Sequence, residues 1–569
     1  MIKTRQIGTL VLGFFLIASL IQCQPTQEKE LKPQLDSYFE QQVCSQSETS
    51  NEDPKPGLSV IITKKDSILY KGNFGSTNLD DKSPITETTI FDIASASKQF
   101  TGMAIALLEE KGEIDMNDKI ITYLPDLPEA MRDITVYQLV HHSSGIRDWP
   151  TLFALKGWQP EEPLSPDDIY EMLKNQNSLN FAPGTGFSYS NSNYNLLAQI
   201  VEAVTDTTFG SWMQDHVFVP LDMKSTYVDK NGNHNPDHMA NSYVYYDNNY
   251  FPFSNKLNAP GSSSLRSNAS DLSKWMINFY RKGLGGNAVS DRMTAKGSLA
   301  DDNTIDYGYG LYITEIKDKK AFVHDGAWGG YRSATAFFPE ESTGVVILSN
   351  DGAMQPKNML YDIYDILFGN DEENEEKSTE SEVAAQEIND EFFALCAGKY
   401  EQVDDKGCYL TFFKEDNEYF VNFYDKNYKL YAKSDSVFFV KEAEVELVFH
   451  LRNGEVNSHT LKQNGNNYLA LRVEENKKEP NINYDMLIGI YHSKELDVKY
   501  KLTYENSELK IQSPVFAEDI KLEHSNNLTF TSNSGLMQSV SFLKEDGAIT
   551  SLAINNPRAK NLLFEKVNQ

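Results

Sequence analysis

Ser95-Ala96-Ser97-Lys98 places a hydroxyl and an amine three positions apart, just ahead of the mostly apolar run Gln99 to Leu108. Phe100, Met103, Ala104 and Leu107 fall on one helical stripe and Gly112 supplies a stop, so the stretch reads as a helix. Positions i and i+3 share a helix face, which brings Lys98 within reach of the Ser95 hydroxyl. A serine nucleophile needs an adjacent base. A lysine serves only where burial and the positive helix start disfavour its ammonium form. Ser507-Glu508-Leu509-Lys510 and Ser541-Phe542-Leu543-Lys544 repeat the spacing. Both lie in strand-like segments, where i and i+3 face opposite ways.

Two further elements follow in a compatible order. Tyr189-Ser190-Asn191 closes the Gly/Pro-punctuated loop from Pro183, ahead of a helix read over Tyr194–Val204. Residues two apart in an extended loop point the same way, so phenol and amide face one pocket. A tyrosine beside cations can move protons, and an asparagine amide can orient a carbonyl. The third element is His324-Asp325-Gly326-Ala327, at the end of a strand read over Ala321–Val323. Gly326 lets a substrate lie against the backbone. Asp325 is expected to point away from that pocket, and His141 and His142 are read as structural.

Together Ser95…Lys98, Tyr189…Asn191 and His324…Gly326 resemble the three motifs of the serine β-lactamase and penicillin-recognising hydrolases. The class C branch, with its esterases, D-aminopeptidases and D,D-peptidases, is the nearest look. Ile134–Ile146, Pro220–Thr226, Asp271–Trp275 and Gly329–Ser333 carry the resemblance on, over about residues 36 to 368. It implies an α/β (α+β) catalytic domain with an antiparallel sheet and a helical lobe. It also implies an acyl-enzyme mechanism in which Ser95 attacks while Lys98 and Tyr189 manage the proton. Asn191, His324 and Gly326 would bind substrate, and the N–H groups of Ser95 and Ala327 would form the oxyanion hole. Which of Lys98 and Tyr189 is the base stays open. Many members carry Lys-Thr-Gly as third motif, the lysine serving substrates with a carboxylate; His324 stands in its place here. A neutral imidazole holds an anion less firmly. The expectation is a D-aminopeptidase-like or esterase-like hydrolase of small peptides, amides or esters. A β-lactamase or D,D-peptidase is the alternative, and a catalytically weak envelope-binding or scaffolding protein the reading from another class. Neither metal nor cofactor is expected. No Gly-x-Ser-x-Gly elbow occurs.

The chain has 569 residues and a formal net charge of −30. That length exceeds one core, and that charge discourages binding to nucleic acid. Lys3 and Arg5 precede an apolar run from Ile7 to Ile21, as in a signal peptide over residues 1–23. Leu20-Ile21-Gln22-Cys23 resembles a bacterial lipoprotein cleavage box whose penultimate residue is unusually large. Lipidation of Cys23, simple secretion and an uncleaved anchor stay open, with export to the periplasm or cell envelope expected in each case. Beyond the leader remain Cys44, Cys396 and Cys408, an odd number. Cys396 and Cys408 are the only close pair.

Residues 24–369 form the expected hydrolase domain and 370–392 an acidic linker. Beyond the linker, short alternating strands separated by turn residues carry an internal repeat. Gly398-Lys399-Tyr400 recurs as Gly489-Ile490-Tyr491, and Phe449 to Gly454 as Phe542 to Gly547, at offsets of 91 and 93 residues. Two all-β barrels, over 393–478 and 479–569, are the inference, since closure removes exposed edges. A catalytic domain followed by two such barrels resembles the layout of bacterial D-aminopeptidases; such repeats also serve as inert spacers or homodimerisation modules, and the sequence does not choose.

Overall fold

The computed structural model describes residues 27–45, 54–229, 238–369 and 388–567. Within the last range it omits 404–408, 416, 424–425, 435, 441–444, 453, 464–465, 474–481 and 533. The expected leader, with Cys23, most of the acidic linker and Cys408 lie outside the described residues. Among those described, no helix is long and apolar enough to cross a membrane.

Leu58–Lys64 is buried on both faces and sits inside a six-stranded antiparallel sheet. Tyr312–Ile316, Lys319–Trp328, Tyr331–Phe338 and Thr343–Ser349 lie on one side of it and Ser67–Phe74 on the other. Alternate residues serve opposite layers. Val60, Ile62, Val345 and Ile347 pack with Leu35 and Phe39 of helix Gln27–Ser45 and with Leu360 and Ile363 of helix Pro356–Phe368. Ile61, Val346 and Leu348 belong to the larger core that extends into the helical lobe. Its central helix, Lys98–Glu110, has all but three residues buried.

The C-terminal half is all β. Gly398–Gln402 to Asn466–Arg472 build a nine-stranded sheet whose edge strands, Lys426–Lys429 and Tyr431–Ser434, are consecutive in the chain. The eight strands from Gly489–Ser493 to Ala559–Val567 close into a barrel. The repeat has a shared physical basis. Gly398 and Gly489 both take left-handed φ values, 139° and 141°. Tyr400 and Tyr491 are wholly buried, and each donates its hydroxyl to the carbonyl four residues back: Cys396 at 3.0 Å, Leu487 at 2.8 Å. Arg472 covers one ring and Lys566 the other. Helix Asp390–Cys396 sends Phe393 and Cys396 into the core of the nine-stranded sheet, and among the described residues Cys396 is a free thiol.

The closed barrel is docked on the hydrolase domain. Arg147, fully buried, pairs with Glu495 and donates to the carbonyls of Lys560 and Asn561, both at 3.0 Å. Tyr500 donates its hydroxyl to the Leu155 carbonyl at 2.6 Å. An ion pair so enclosed costs several kcal/mol of desolvation per charge, which the surrounding hydrogen bonds offset.

Candidate active site

Ser95 lies in a 3₁₀ turn, Ala94–Ser97, and the α-helix proper begins at Lys98. The expected single helix is therefore two segments. Ala94 takes φ 48°, a left-handed value unusual for alanine, and turns the chain sharply ahead of Ser95. Asp92 holds that turn by accepting the Ala94 N–H at 2.7 Å, and Asp92 itself pairs with buried Arg266. Arg266 also donates to Asp229 at 3.1 Å.

Lys98 Nζ stands 3.2 Å from Ser95 Oγ, 2.7 Å from Asn191 Oδ1 and 2.8 Å from the Ser262 carbonyl. The amine is buried, and desolvation carries its pKa well below the usual value against the attraction of Asp148. A neutral amine has two N–H bonds, matched by Asn191 and Ser262, so its lone pair faces Ser95. Tyr189 is shifted the opposite way. Burial and the neighbouring Tyr312 raise its pKa well above the ordinary phenol, while a hydrogen bond with Ser95 and the charge of Arg558 work against the rise. Tyr189 is therefore a neutral phenol at the mouth of the same pair.

Asn191 is already the first residue of helix Asn191–Thr205, three positions earlier than the sequence reading placed it. Ser190 contributes no side-chain cap. The cap comes from Asp148, whose Oδ1 accepts the Asn191 N–H at 2.7 Å and its Nδ2 at 3.0 Å. A carboxylate at a helix start is favourable for both orphan donors and dipole.

The third motif lies in mid-strand, because Lys319–Trp328 runs on past Val323 and pairs His324 with Thr335 and Ala327 with Arg332. Both nitrogens of His324 are committed within the protein. Nδ1 lies 2.6 Å from the Asp325 carbonyl, so it carries the proton, and Nε2 accepts from the Tyr307 hydroxyl at 3.0 Å. Burial holds its pKa at about 4, so the ring is neutral. Asp325, expected to point away from the pocket, instead lines the cavity beside His324, and its carboxylate meets Lys357 at 3.4 Å. His142 packs at a tilt against the Tyr189 ring, 4.5 Å between centroids, and accepts the Ser190 N–H on Nδ1; His141 Nδ1 meets the Tyr307 carbonyl. Both histidines position the tyrosines.

These residues surround a cavity of about 330 Å³, lined by Ser95, Tyr189, Asn191, His324 and Ala327, with Trp149, Leu257 and Trp328 as an apolar wall. The structure thus gathers all the residues the three motifs supplied except Lys98, which lies beneath the floor, and Gly326, whose backbone abuts Ser95. Sequence reasoning missed Asp148, Ser262, Tyr307 and Arg558. Asp148-Trp149-Pro150 carries the signal of an ordinary helix cap, and Asn556-Pro557 the signal of a turn; neither reveals a site.

A buried Ser–Lys pair with a neutral tyrosine, on a helix under an antiparallel sheet, defines a serine acyl-transfer fold. The β-lactamase family model matches residues 46–366, and the chain belongs to that family; it is a serine hydrolase. It is 27% identical over 448 residues to penicillin-binding protein 4* of Bacillus subtilis (strain 168), a match spanning 75% of this chain and 97% of that one. It is 26% identical over 298 residues to a D-aminopeptidase of Gluconobacter oxydans (strain 621H), covering 52% of this chain and 56% of that enzyme. The chain thus spans little more than half the length of that relative. In structure it is similar to the octameric penicillin-binding protein homologue from Pyrococcus abyssi, with TM-score 0.55, 20% identity and coverage of 77% and 99%. A hydrolase with promiscuous acyltransferase activity, EstCE1, aligns with TM-score 0.51, 18% identity and coverage of 60% and 99%.

Proposed function

We propose that the protein hydrolyses small peptides or amides, with D-residues at the scissile bond, through an acyl-enzyme on Ser95. The observation that carries this is the 3.2 Å contact from Lys98 Nζ to Ser95 Oγ, with the amine's two N–H bonds taken by Asn191 and Ser262. Lys98, neutral through burial, takes the serine proton as Oγ attacks the carbonyl carbon. The developing oxyanion is met by the N–H groups of Ser95 and Ala327, a type of stabilisation usually large in acyl transfer. Tyr189 passes the proton to the leaving nitrogen as the C–N bond breaks. Water, giving a proton back along the same path, then attacks the ester and frees Ser95. Esters fit the same chemistry with an oxygen leaving group, and β-lactams would be opened by the same attack. The D-aminopeptidase relative supports an amide bond of a D-residue. Export, with attachment through Cys23 or the leader, is part of the same reading, and rests on the sequence alone.

A fluorophosphonate probe should label the wild type at Ser95, identified by peptide mass spectrometry, and leave Ser95→Ala unlabelled. A screen of D- and L-amino acid p-nitroanilides, p-nitrophenyl esters and nitrocefin then ranks the substrates. Equal labelling of the mutant would place the nucleophile elsewhere.

A further inference from the structure

Ser242–Tyr246 and Asn249–Phe253 form a two-stranded hairpin. Asp247 and Asn248 close it with φ values of 48° and 59°, as the type I′ turn that matches strand twist requires. Val244 pairs with Phe251, Tyr245 with Tyr250 and Tyr246 with Asn249, so alternate pairs serve opposite faces. The inner face is tied to the hydrolase domain. Tyr250 donates its hydroxyl to Asp351 at 2.9 Å, and the Tyr243 hydroxyl accepts the Leu79 N–H at 2.9 Å. The outer face presents Val244, Tyr246, Phe251 and Phe253 and carries no charged side chain. Tyr246 is 76% exposed and Phe251 48%. Large apolar side chains grouped on an open surface mark a place where something binds.

That face runs into the catalytic cavity. Phe253 meets Trp328 edge to face at 6.1 Å between ring centroids, and Trp328 stacks on Trp158 at 6.1 Å. Trp328, Trp149 and Leu257 line the cavity itself. Phe251 stands two residues further out along the strand, about 7 Å on. Glycines seat the hairpin there. A Cβ on Gly329 would fall 2.3 Å from the Phe253 ring, and one on Gly330 would fall 2.1 Å from the Tyr243 carbonyl oxygen. Asn255 accepts from Trp328 Nε1 at 2.9 Å and donates to Asp92 at 2.7 Å, so the polar edge of the indole is satisfied and its position fixed.

The two ends of the cavity differ in chemistry. Strand Lys319–Trp328 crosses it from His324 to Trp328, with Ala327 between. Tyr189, which hands its proton to the leaving group, lies at the His324 end, 6.3 Å between ring centroids, and Arg558 stands 5.4 Å over it. The leaving group belongs at that polar end, and the acyl group at the aromatic end. We infer that the outer face of the hairpin continues the cavity as a subsite for an extended aliphatic chain on the acyl half of the substrate. A sugar chain would need donors and acceptors between the rings, and this face offers few beyond Asn249 and the Tyr246 hydroxyl at its tip; a run of methylenes needs only apolar area. The preferred substrates are then amides or esters whose acyl group reaches past Trp328 onto Phe253 and Phe251. This inference rests on the acyl-enzyme reading and names the acyl half of its substrate.

The test uses the full chain and two matched pairs: p-nitrophenyl acetate and octanoate, and the p-nitroanilides of D-alanine and D-2-aminooctanoic acid. Each rate is divided by that of hydroxide hydrolysis, so that intrinsic reactivity cancels. A buried methylene is worth about fourfold in affinity. Wild type should therefore favour the longer member of whichever pair it turns over by about tenfold or more in kcat/KM. Phe251→Thr keeps a good strand former and should lower that ratio by about threefold or more, whereas Phe251→Leu should retain most of it. Thermal melts check folding; where Phe251→Thr melts early, Tyr246→Ser at the exposed tip supplies the second reading and should lower the ratio too. A wild type indifferent to chain length, or a ratio unchanged in the folded variants, would overturn the inference. An unchanged ratio together with a wild-type dimer that Phe251→Thr turns monomeric in sedimentation would assign the face to a second copy of the chain, and overturn it equally. Failure of the fluorophosphonate to label Ser95 would instead sink the acyl-enzyme reading, so the two failures are distinguishable.

Discussion

Gly326 is packed so closely on Ser95 that a Cβ there would fall 3.0 Å from the Ser95 amide nitrogen, 2.5 Å from Ser333 Oγ and 2.3 Å from the Ile93 carbonyl. The third-motif strand thus lies directly on the turn that carries Ser95, and the absent side chain is what allows it. Ser333 Oγ donates to that same Ile93 carbonyl at 2.8 Å, which leaves the strand no room to retreat. Gly326→Ala should push the strand from Ser95 and misplace the Ala327 N–H. Loss of one oxyanion donor costs about 100- to 1,000-fold in kcat. The measurement is the burst rate of Ser95 acylation with a p-nitrophenyl ester; a rate within threefold of wild type would show that the strand's position is not limiting.

Lys98→Ala and Tyr189→Phe should each lower kcat by roughly a hundredfold or more, the scale of general acid–base help. Changes confined to KM would reassign them to substrate binding. The direction of the two pKa shifts also fixes the pH profile. Lys98 must be neutral to accept a proton and its pKa is lowered, so activity rises with pH through that lowered value. Tyr189 must be protonated to donate and its pKa is raised, so no alkaline limb should appear below pH 10. A kcat profile that falls between pH 7 and 9 contradicts this assignment.

Arg147→Ala leaves Glu495 buried without its partner and frees the carbonyls of Lys560 and Asn561. Removing one member of a buried pair typically costs about 3–5 kcal/mol. The variant should melt earlier and lose activity in step, because the same turn carries Arg558. Full activity in a variant whose barrel has come undocked would show that the barrel is dispensable for catalysis.

His459 is buried among Tyr400, Phe412 and Phe449 in the first barrel, and among the described residues neither ring nitrogen has a hydrogen-bond partner. Burial lowers its pKa to about 3, and the same cause holds His141 at about 4. The folded chain takes up these protons only near pH 3 to 4, whereas the unfolded chain does so near pH 6.5. Their contribution is therefore complete above that value and is lost as pH falls from 6.5 toward 3. His459→Leu removes two unsatisfied polar atoms and should stabilise the protein by about 1 kcal/mol at neutral pH. The gain should grow on acidification. Thermal melts at pH 7 and pH 5 compare the two; a loss of stability at both would mean that the imidazole has a partner.

The leader reading is tested by labelled palmitate. Incorporation that disappears in Cys23→Ala identifies a lipid-anchored form, whereas a soluble wild type whose first residue lies beyond Cys23 excludes it.

What the amino-acid order determined by itself is local. Ser95 and Lys98 meet because three residues of turn and helix bring them together, and any strand decoy fails for the same geometric reason. The β repeat was legible because Gly398 and Gly489 must take left-handed φ, and the tyrosines two residues on close the same hydrogen bond. Even so, helix limits were misplaced. Asn191 begins its helix early because the cap comes from Asp148, 43 residues earlier. His324 was legible as a departure from lysine but not as a ring already satisfied by Tyr307. Only the tertiary structure decided what charges the cavity holds. Arg558 and Asp148 are 410 residues apart, and no periodicity or spacing couples them. Their encounter depends on docking one domain against another, a contact built from buried surface and backbone hydrogen bonds that leaves no local signature in the chain.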